Sequence, residues 1–338
     1  MDKKFYITTP IYYPSAKPHM GHAYSSIIAD FFARFKRMDG FDVQFLTGTD
    51  EHGLKIQRAA ERKKIDPQTF CDEISQTFRD LSKTLNLSNT DFIRTTEERH
   101  KKTVQHLWNE LEKNDDIYLS KYSGWYSVSD EAYYSDEEII EKENVKIAIS
   151  SGSSVEWIEE ESYFFRLSKW QDELLKYYEK NPDFISPKSR KNEVISFVKG
   201  GLKDLSISRK AFSWGIKVPN SQDHVIYVWL DALTNYISAL NYPDTNDELF
   251  KKFWPASVHL IGKDILRFHS VYWPAFLMAA KIPLPKKVYG HGWILSGDEK
   301  MSKSKGNILD PLDIIEIYGL DPLRYYLIKE VSFGNDGN

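Results

Sequence analysis

The segment from Lys4 to Phe35 constrains the fold more than any other part of the sequence. Residues 4–9 have the composition of a strand, and residues 10–18 form a proline-rich turn. From Gly21 onward the apolar side chains recur at helical spacing, at Ile27, Ile28, Phe31, Phe32 and Phe35. The segment therefore predicts the strand, loop and helix unit from which α/β proteins are built.

A four-residue string, His19-Met20-Gly21-His22, lies at the start of the predicted helix. Free backbone N–H groups and the positive end of the helix dipole make such a position suitable for a triphosphate. Gly21 allows a ligand to approach the backbone closely, and His19 and His22, three residues apart, share one face. Taken alone the string is a weak pattern, because two surface histidines at a helix start are its simpler interpretation.

A second string, Lys300-Met301-Ser302-Lys303-Ser304, lies within the charged segment 297–307, whose composition predicts a mobile, exposed loop. When a carboxylate attacks the α-phosphorus of ATP, mobile ammonium groups can stabilise charge on the leaving oxygens. Lysine-rich loops are more commonly solvated surface or nucleic-acid contacts. The two strings together favour adenylyl transfer, with His19, His22, Lys300 and Lys303 as catalytic candidates.

The two strings correspond to the HIGH and KMSKS motifs, and the chain resembles class I aminoacyl-tRNA synthetases. Five further segments narrow the resemblance to methionyl-tRNA synthetases and extend it along essentially the whole chain. They are Tyr6-Ile7-Thr8-Thr9-Pro10-Ile11-Tyr12-Tyr13, Gly48-Thr49-Asp50-Glu51-His52-Gly53, Trp229-Leu230-Asp231-Ala232, Gly262-Lys263-Asp264-Ile265 and Phe268-His269-Ser270.

The resemblance implies an α/β fold with a doubly wound parallel sheet, of the Rossmann type and HUP-like, split by a connective insertion domain. We expect the first half of the catalytic domain at 1–113, the insertion at 114–223, the second half at 224–293, and the KMSKS loop with the start of a stem-contact region at 294–338. Thr95 and Glu98 have capping-box spacing for one helix of the first half. Residues 224–228 are expected to form a strand of the second half.

The implied reaction is that of a methionine–tRNA ligase, with L-methionine, ATP and tRNA(Met) as substrates and Mg²⁺ accompanying ATP. A thioether favours aromatic ring edges, and a carboxylate suits a substrate ammonium. By resemblance, Asp50 holds that ammonium, although any one aromatic residue considered alone is more often core than ligand wall. The other expected methionine contacts are Ile11, Tyr13, Trp229, Ala232, Tyr236, Ile265, His269 and Trp273.

For the nucleotide, the resemblance implies that Gly262 and Asp264 lie near the ribose, and that Trp293, Ile294 and the backbone of Met301 lie near adenine. Asp264 has an alternative role as a helix N-cap. The full set of expected ATP contacts is His19, Gly21, His22, Gly262, Asp264, His291, Gly292, Trp293, Ile294, Met301 and Lys303.

Cys71 is the only cysteine, so the chain has neither an internal disulfide nor a cysteine-based zinc site. Many members of the resembled family carry a Cys-x-x-Cys knuckle in the insertion, where this sequence has serines within residues 126–131. We therefore expect no structural zinc. Cys71 itself is expected to be a small core residue of a helix that starts at Asp66-Pro67.

The net charge of −4 offers no global attraction to RNA, so any RNA surface must be local. The basic residues Lys188, Arg190, Lys191, Lys199, Lys203, Arg209 and Lys210 are candidates, although such runs are more often solvated helix faces. No apolar run approaches the ~20 residues of a membrane span, and the N-terminus has no apolar region of a signal peptide, which predicts no membrane partner and a cytoplasmic location.

The chain ends at residues 333–338, where the resembled family continues into an anticodon-binding domain. We therefore expect a catalytic core, favoured as a monomer, that activates methionine but charges tRNA poorly. Two other functions remain open at this point, a nucleotidyltransferase that makes a small-molecule product and a non-catalytic RNA-binding relative. The isoleucine, valine, leucine and cysteine synthetases are the nearest alternatives within the class.

Overall fold

A computed structural model of the chain describes residues 3–130, 132–142, 145–296, 299–301, 309–329, 331 and 334–337, with side chains omitted at 296, 299 and 300. The first part alternates strands and helices. Its elements are β1 (Lys4–Thr8), α1 (Met20–Met38), β2 (Asp42–Thr49), α2 (Leu54–Lys63), α3 (Pro67–Thr84), β3 (Asp91–Arg94) and α4 (Glu98–Lys113).

The middle part begins with antiparallel strands and continues with two helices and short strands. Its elements are β4 (Ile117–Ser127), β5 (Ala132–Tyr134), β6 (Ile139–Lys142), β7 (Val145–Ala148), β8 (Glu156–Phe165), α5 (Gln171–Lys180), β9 (Ile185–Ser186), α6 (Lys188–Lys199), β10 (Leu205–Ser206), β11 (Ser208–Arg209) and β12 (Val225–Ile226).

The last part returns to the alternating pattern, with a π-helical turn at Phe268–Tyr272 directly before one of its helices. Its elements are α7 (Val228–Leu233), α8 (Asn235–Ser238), α9 (Glu248–Phe253), β13 (Val258–Gly262), α10 (Trp273–Ala279), β14 (Val288–His291), β15 (Leu295–Ser296), β16 (Glu299–Lys300), α11 (Pro311–Tyr318) and α12 (Leu320–Lys329).

Within the described part, the main sheet is parallel, with strand order β3-β2-β1-β13-β14-β9. Its central strands β1 and β13 are far apart in sequence, and their carboxyl ends face the start of α1. The α/β doubly wound fold is therefore confirmed, and ligands are expected at this strand edge. None of the described helices is long and apolar enough to span a bilayer.

The edge strand β9 lies inside the range 114–223 that we assigned to the insertion, yet it pairs with β14 in the main sheet. The rest of that range forms an antiparallel sheet with order β10-β8-β4-β5 and the hairpin β6-β7. The middle part therefore contributes to both sheets, and the domain division stays a prediction.

Several local predictions are confirmed, two are wrong, and one strand was not predicted. Helix α3 starts at Pro67 with Asp66 as its N-cap, and Cys71 is buried. Strand β3 was missed, and residues 225–226 form only a short antiparallel pair with β11 outside the main sheet. The expected capping box of α4 is absent, because Thr95 Oγ1 instead accepts a hydrogen bond of 2.9 Å from the Glu51 N–H.

Serines and a carboxylate hold the turn where a zinc knuckle was considered. Asp130 accepts hydrogen bonds from the hydroxyls of Tyr134 at 2.7 Å, Ser151 at 2.5 Å and Ser153 at 2.7 Å. Its own N–H donates to Ser127 Oγ at 3.3 Å. The Asp130 carboxylate thus joins the β4-β5 turn to the segment that precedes β8.

Candidate active site

The two motif histidines cap α1. The backbone N–H of Gly21 donates to His19 Nδ1 at 3.0 Å, and the backbone N–H of His19 donates to His22 Nδ1 at 3.0 Å. Their rings lie with centroids 3.9 Å apart. Because each Nδ1 accepts, the proton of each neutral ring lies on Nε2. The cap therefore fixes both rings as Nε2–H donors at the positive end of the helix.

A cavity of about 260 Å³ opens beside this helix start. All the expected ATP-binding residues except Lys303 line it. The other lining residues are Pro10, Tyr12, Tyr24, Ser25 and Ile265. Tyr12 and Ser25 were not predicted. The spacing of Ser25, one helical turn after Gly21, is the signal that could have identified it.

Gly262, at the end of β13, lies close to Asp264. A Cβ at residue 262 would lie 2.6 Å from Asp264 Oδ1, so any larger residue there would displace the carboxylate. The Trp293 indole donates to the same oxygen at 3.2 Å. Asp264 is not a helix N-cap, because Gly262 has that position for the short 3₁₀ turn 263–265. The carboxylate is thereby held in the wall of this cavity.

His291 lies at the end of β14, and both of its ring nitrogens are hydrogen-bonded within the protein. Its Nδ1 donates to the Gly292 carbonyl at 2.7 Å, so Nε2 accepts from the Ser25 hydroxyl at 2.8 Å. Burial lowers the pKa of His291 below its ordinary value. The neutral ring therefore joins β14 to α1 across the cavity.

A second, smaller cavity of about 30 Å³ adjoins the first. Such a volume has room for about one water molecule. Of the expected methionine contacts, all but Tyr13 and Trp273 line it. The lining residues are Pro10, Ile11, Asp50, Trp229, Ala232, Leu233, Asn235, Tyr236, Ile265 and His269.

The walls of the smaller cavity are aromatic and neutral apart from Asp50. The Trp229 and Phe268 rings stack with centroids 3.6 Å apart. His269 Nδ1 donates to the Ile265 carbonyl at 2.9 Å, and its Nε2 accepts from the Tyr236 hydroxyl at 2.7 Å. Burial lowers the pKa of His269 to about 4. An apolar, polarizable side chain matches these walls.

Tyr13 and Trp273 lie near this cavity but do not line it. The Tyr13 hydroxyl donates to the His52 carbonyl at 2.9 Å, and Lys55 lies over the Tyr13 ring at 5.0 Å. Trp273 is fully buried and packs against Tyr236. Their contact with methionine stays a prediction.

Pro10 and Ile265 belong to the walls of both cavities. The two cavities therefore meet at the carboxyl ends of β1 and β13, with the imidazoles on one side and Asp50 on the other. Such a junction can bring a carboxylate bound near Asp50 to a phosphate bound near the histidines.

Comparison with known proteins decides the family. A model described as "tRNA synthetases class I (M)" matches residues 5–146 and 140–338. This chain belongs to that tRNA synthetase family.

Proteins named methionine–tRNA ligase are among the relatives of this class I synthetase. The one from Rickettsia bellii is 60% identical over the whole chain, which covers 65% of that protein. The one from Bacillus subtilis is 57% identical over 98% of the chain and 51% of that protein. The chain thus spans about half to two thirds of the length of these relatives.

A solved structure shares the fold of this synthetase at a TM-score of 0.98. It is Mycobacterium tuberculosis methionyl-tRNA synthetase in complex with methionyl-adenylate, 52% identical, with 99% of this chain and 66% of that chain covered. An apo structure of the same protein gives a TM-score of 0.86 at 47% identity.

The second motif of this synthetase is described only in part, which affects both of its candidate catalytic lysines. Lys303 and residues 302–308 fall outside the described residues, as do 297 and 298. Lys300 belongs to strand β16, which pairs with β15, but its side chain is outside the description. Their catalytic roles stay predictions.

Sequence reasoning missed one ion pair of this synthetase, which lies beside Trp293. Lys263 Nζ lies 2.6 and 2.7 Å from the two Asp336 oxygens and 4.1 Å over the Trp293 ring. Asp336 also accepts from the Trp293 N–H at 2.8 Å. Burial by itself raises the pKa of Asp336, but the Lys263 and Trp293 hydrogen bonds hold it below its usual value. A separation of 73 residues left no local signal.

The prediction that Arg209 contacts RNA is wrong. Its side chain is buried between the Tyr126, Tyr133 and Tyr227 rings, so it does not offer a surface charge. Over the described ranges of this synthetase, no group of three or more His, Cys, Asp or Glu side chains is arranged for a metal. The expectation of no structural zinc stays a prediction.

Proposed function

We propose that this chain activates L-methionine with ATP, forming methionyl-adenylate and pyrophosphate. The observation that carries the proposal is the junction of the two cavities at Pro10 and Ile265. A carboxylate oxygen of methionine attacks the α-phosphorus, an O–P bond forms, and the bond to pyrophosphate breaks. The 60% identical relative named methionine–tRNA ligase supports methionine as the substrate.

In this proposal the residues act mainly by positioning and by charge stabilisation. Asp50 pairs with the substrate ammonium, and the neutral walls around His269 receive the thioether. His19 and His22 donate through Nε2 to phosphate oxygens, while Lys300 and Lys303 meet charge on the leaving pyrophosphate. Mg²⁺ enters with the triphosphate.

The ribose and adenine contacts of the proposal come from the end of β13 and the segment after β14. Asp264 accepts from the ribose hydroxyls, since a carboxylate after a strand suits that role. Trp293, Ile294 and Met301 lie beside adenine, with Gly262, His291 and Gly292 around them.

Transfer of methionine to tRNA(Met) is the second proposed step. A hydroxyl of the terminal adenosine attacks the activated acyl carbon, and AMP leaves. Since the relatives are longer than 338 residues, we expect a polypeptide of residues 1–338 alone to activate methionine and to charge tRNA poorly. Efficient charging by that polypeptide would contradict this part. A cytoplasmic location, a monomeric state and the four-part domain division stay predictions.

ATP–pyrophosphate exchange against all twenty amino acids tests the activation step. We expect a signal with methionine alone, which falls by about a hundredfold or more in Lys300→Ala and in His22→Ala. Exchange with isoleucine, valine, leucine or cysteine would assign another synthetase specificity. No exchange with any amino acid would favour a nucleotidyltransferase or a non-catalytic role.

A further inference from the structure

We infer that Asp231, His52 and His100 form a positioning cluster that fixes the spacing between the two walls of the methionine cavity. This inference rests on the proposed function, because it assigns a role to residues that do not line either cavity. The cluster consists of the Asp231 carboxylate on α7, the His100 imidazole on α4 and the His52 imidazole in the loop after β2.

The cluster is buried and closely hydrogen-bonded. The Asp231 side chain is fully buried, His52 is nearly so, and His100 is fully buried. His52 Nδ1 donates to Asp231 Oδ2 at 2.6 Å, and His100 Nε2 donates to Asp231 Oδ1 at 2.7 Å. His100 Nδ1 lies 2.8 Å from the Ser238 hydroxyl of α8. Both carboxylate oxygens are thus occupied by imidazole donors.

Sequence position gives the cluster its relation to the cavity. His52 lies two residues after Asp50, which lines the cavity on the β2 side. Asp231 lies on α7 between Trp229 and Ala232, which also line the cavity. The His52–Asp231 hydrogen bond therefore connects the backbone that carries the ammonium-binding carboxylate to the helix that carries the thioether wall.

The β2 side of this connection is itself anchored. Glu51 is buried and receives two hydrogen bonds from Arg94, at 2.7 and 2.9 Å. The backbone N–H of Asp50 donates to the Tyr12 carbonyl at 2.9 Å. Because residues 50 and 51 are held to the sheet, the position of α7 relative to Asp50 depends on the bond that Asp231 makes.

The charge state of the cluster agrees with this role. Burial by itself raises the pKa of Asp231, but the electrostatic effect of His52 and the hydrogen bonds from His100 and His52 together hold the pKa below its usual value. A buried carboxylate is tolerated only when it is paired and hydrogen-bonded, and removal of one partner leaves it uncompensated. His52 and His100 therefore act as a pair on one ionised group.

Paired variants at His52 separate positioning from simple folding support. In His52→Asn, the amide Nδ2 can still donate where the imidazole Nδ1 donated, whereas His52→Ala removes the donor. We expect His52→Ala to raise the methionine KM about tenfold or more, as for loss of one buried hydrogen bond to a charged group. The KM for ATP and kcat should change by less than about threefold, because the proposed ATP contacts lie in the larger cavity beside α1. His52→Asn should restore most of the methionine affinity.

His106→Ala is the matched control, since His106 lies on α4 with His100 but packs its ring edge against Tyr242 at 5.5 Å. It should leave both KM values unchanged. Equal rises of the methionine and ATP KM values in His52→Ala, no rise in either, or a His52→Asn variant as impaired as His52→Ala would overturn the positioning role.

If His52→Ala does not fold, the unsubstituted protein still tests the inference. NMR of its imidazole N–H protons should show a slowly exchanging resonance for the buried His52 donor, assigned by its loss in His52→Asn. Methionine binding should shift this resonance and ATP alone should not. An unshifted resonance at saturating methionine would overturn the inference. Absence of methionine-dependent ATP–pyrophosphate exchange in the unsubstituted protein would instead refute the proposed function.

Discussion

His22 Nδ1 accepts a 3.0 Å hydrogen bond from the backbone N–H of His19, so the second motif histidine completes the cap of the helix that the first one begins. The bond uses one nitrogen for structure and leaves the proton of the neutral ring on the other. Each histidine is thereby given both a structural and a proposed catalytic role.

The two roles of His22 predict losses of different size. In His22→Ala, loss of the cap should lower the free energy of unfolding by about 1 kcal/mol. Loss of a phosphate donor should lower methionine-dependent exchange by about a hundredfold or more. Urea unfolding and pyrophosphate exchange measure the two quantities on the same preparation. Comparable small effects in both assays would remove His22 from the catalytic set.

Gly262→Ala should weaken ATP binding selectively. The added methyl group would lie 2.6 Å from Asp264 Oδ1, so the carboxylate must move away from its hydrogen bond with Trp293. We expect the KM for ATP to rise about tenfold, comparable to the loss of one hydrogen bond to a charged group. The methionine KM should be unchanged, with Gly200→Ala, at an exposed position with a φ of −66°, as the control for an added methyl group. An unchanged ATP KM would argue against Asp264 as a ribose contact.

His269 makes stability depend on pH. Its pKa is lowered by burial to about 4, whereas an unfolded histidine titrates at about 6.5. The unfolded chain binds more protons between these values, so the contribution of His269 to stability is fully present above about pH 6.5 and is lost as the pH falls towards 4.

Urea unfolding of wild type and His269→Gln from pH 7.5 to 4 measures this contribution. We expect the free energy of unfolding of the wild type to fall by roughly 3 kcal/mol more than that of the variant. His259 is present in both proteins, so the lowering of its pKa by burial cancels, whereas the further lowering by His269 is part of the difference that the comparison measures. If the free energy of unfolding falls equally with pH in both proteins, the pKa of His269 is not lowered by burial.

Asp130 should stabilise the β4-β5 turn without metal. Asp130→Ala removes the acceptor for three hydroxyls, and since Ser151 is exposed we expect a loss of only about 1 kcal/mol in the free energy of unfolding. Glu137→Ala, at an exposed position nearby, is the control. Chelation with 1,10-phenanthroline should leave the thermal midpoint of the wild type unchanged. A lower midpoint after chelation would instead reveal a structural metal.

The sequence by itself determined the local units of this protein. Composition and periodicity identified β1, α1 and α3, and the His19 to His22 spacing indicated a helix start with backbone donors. The resemblance carried by short motifs gave the α/β class and the family. These features were readable because periodicity and capping depend on residues within a few positions of one another.

Tertiary structure alone decided which distant residues meet. Asp231 pairs with His52 and His100 across 179 and 131 residues, and Lys263 pairs with Asp336 across 73. The same packing buried Arg209, engaged the Thr95 hydroxyl with the Glu51 N–H, and added β9 to the main sheet. No local pattern encodes such pairings, because they follow from how all the elements pack together and satisfy buried polar groups.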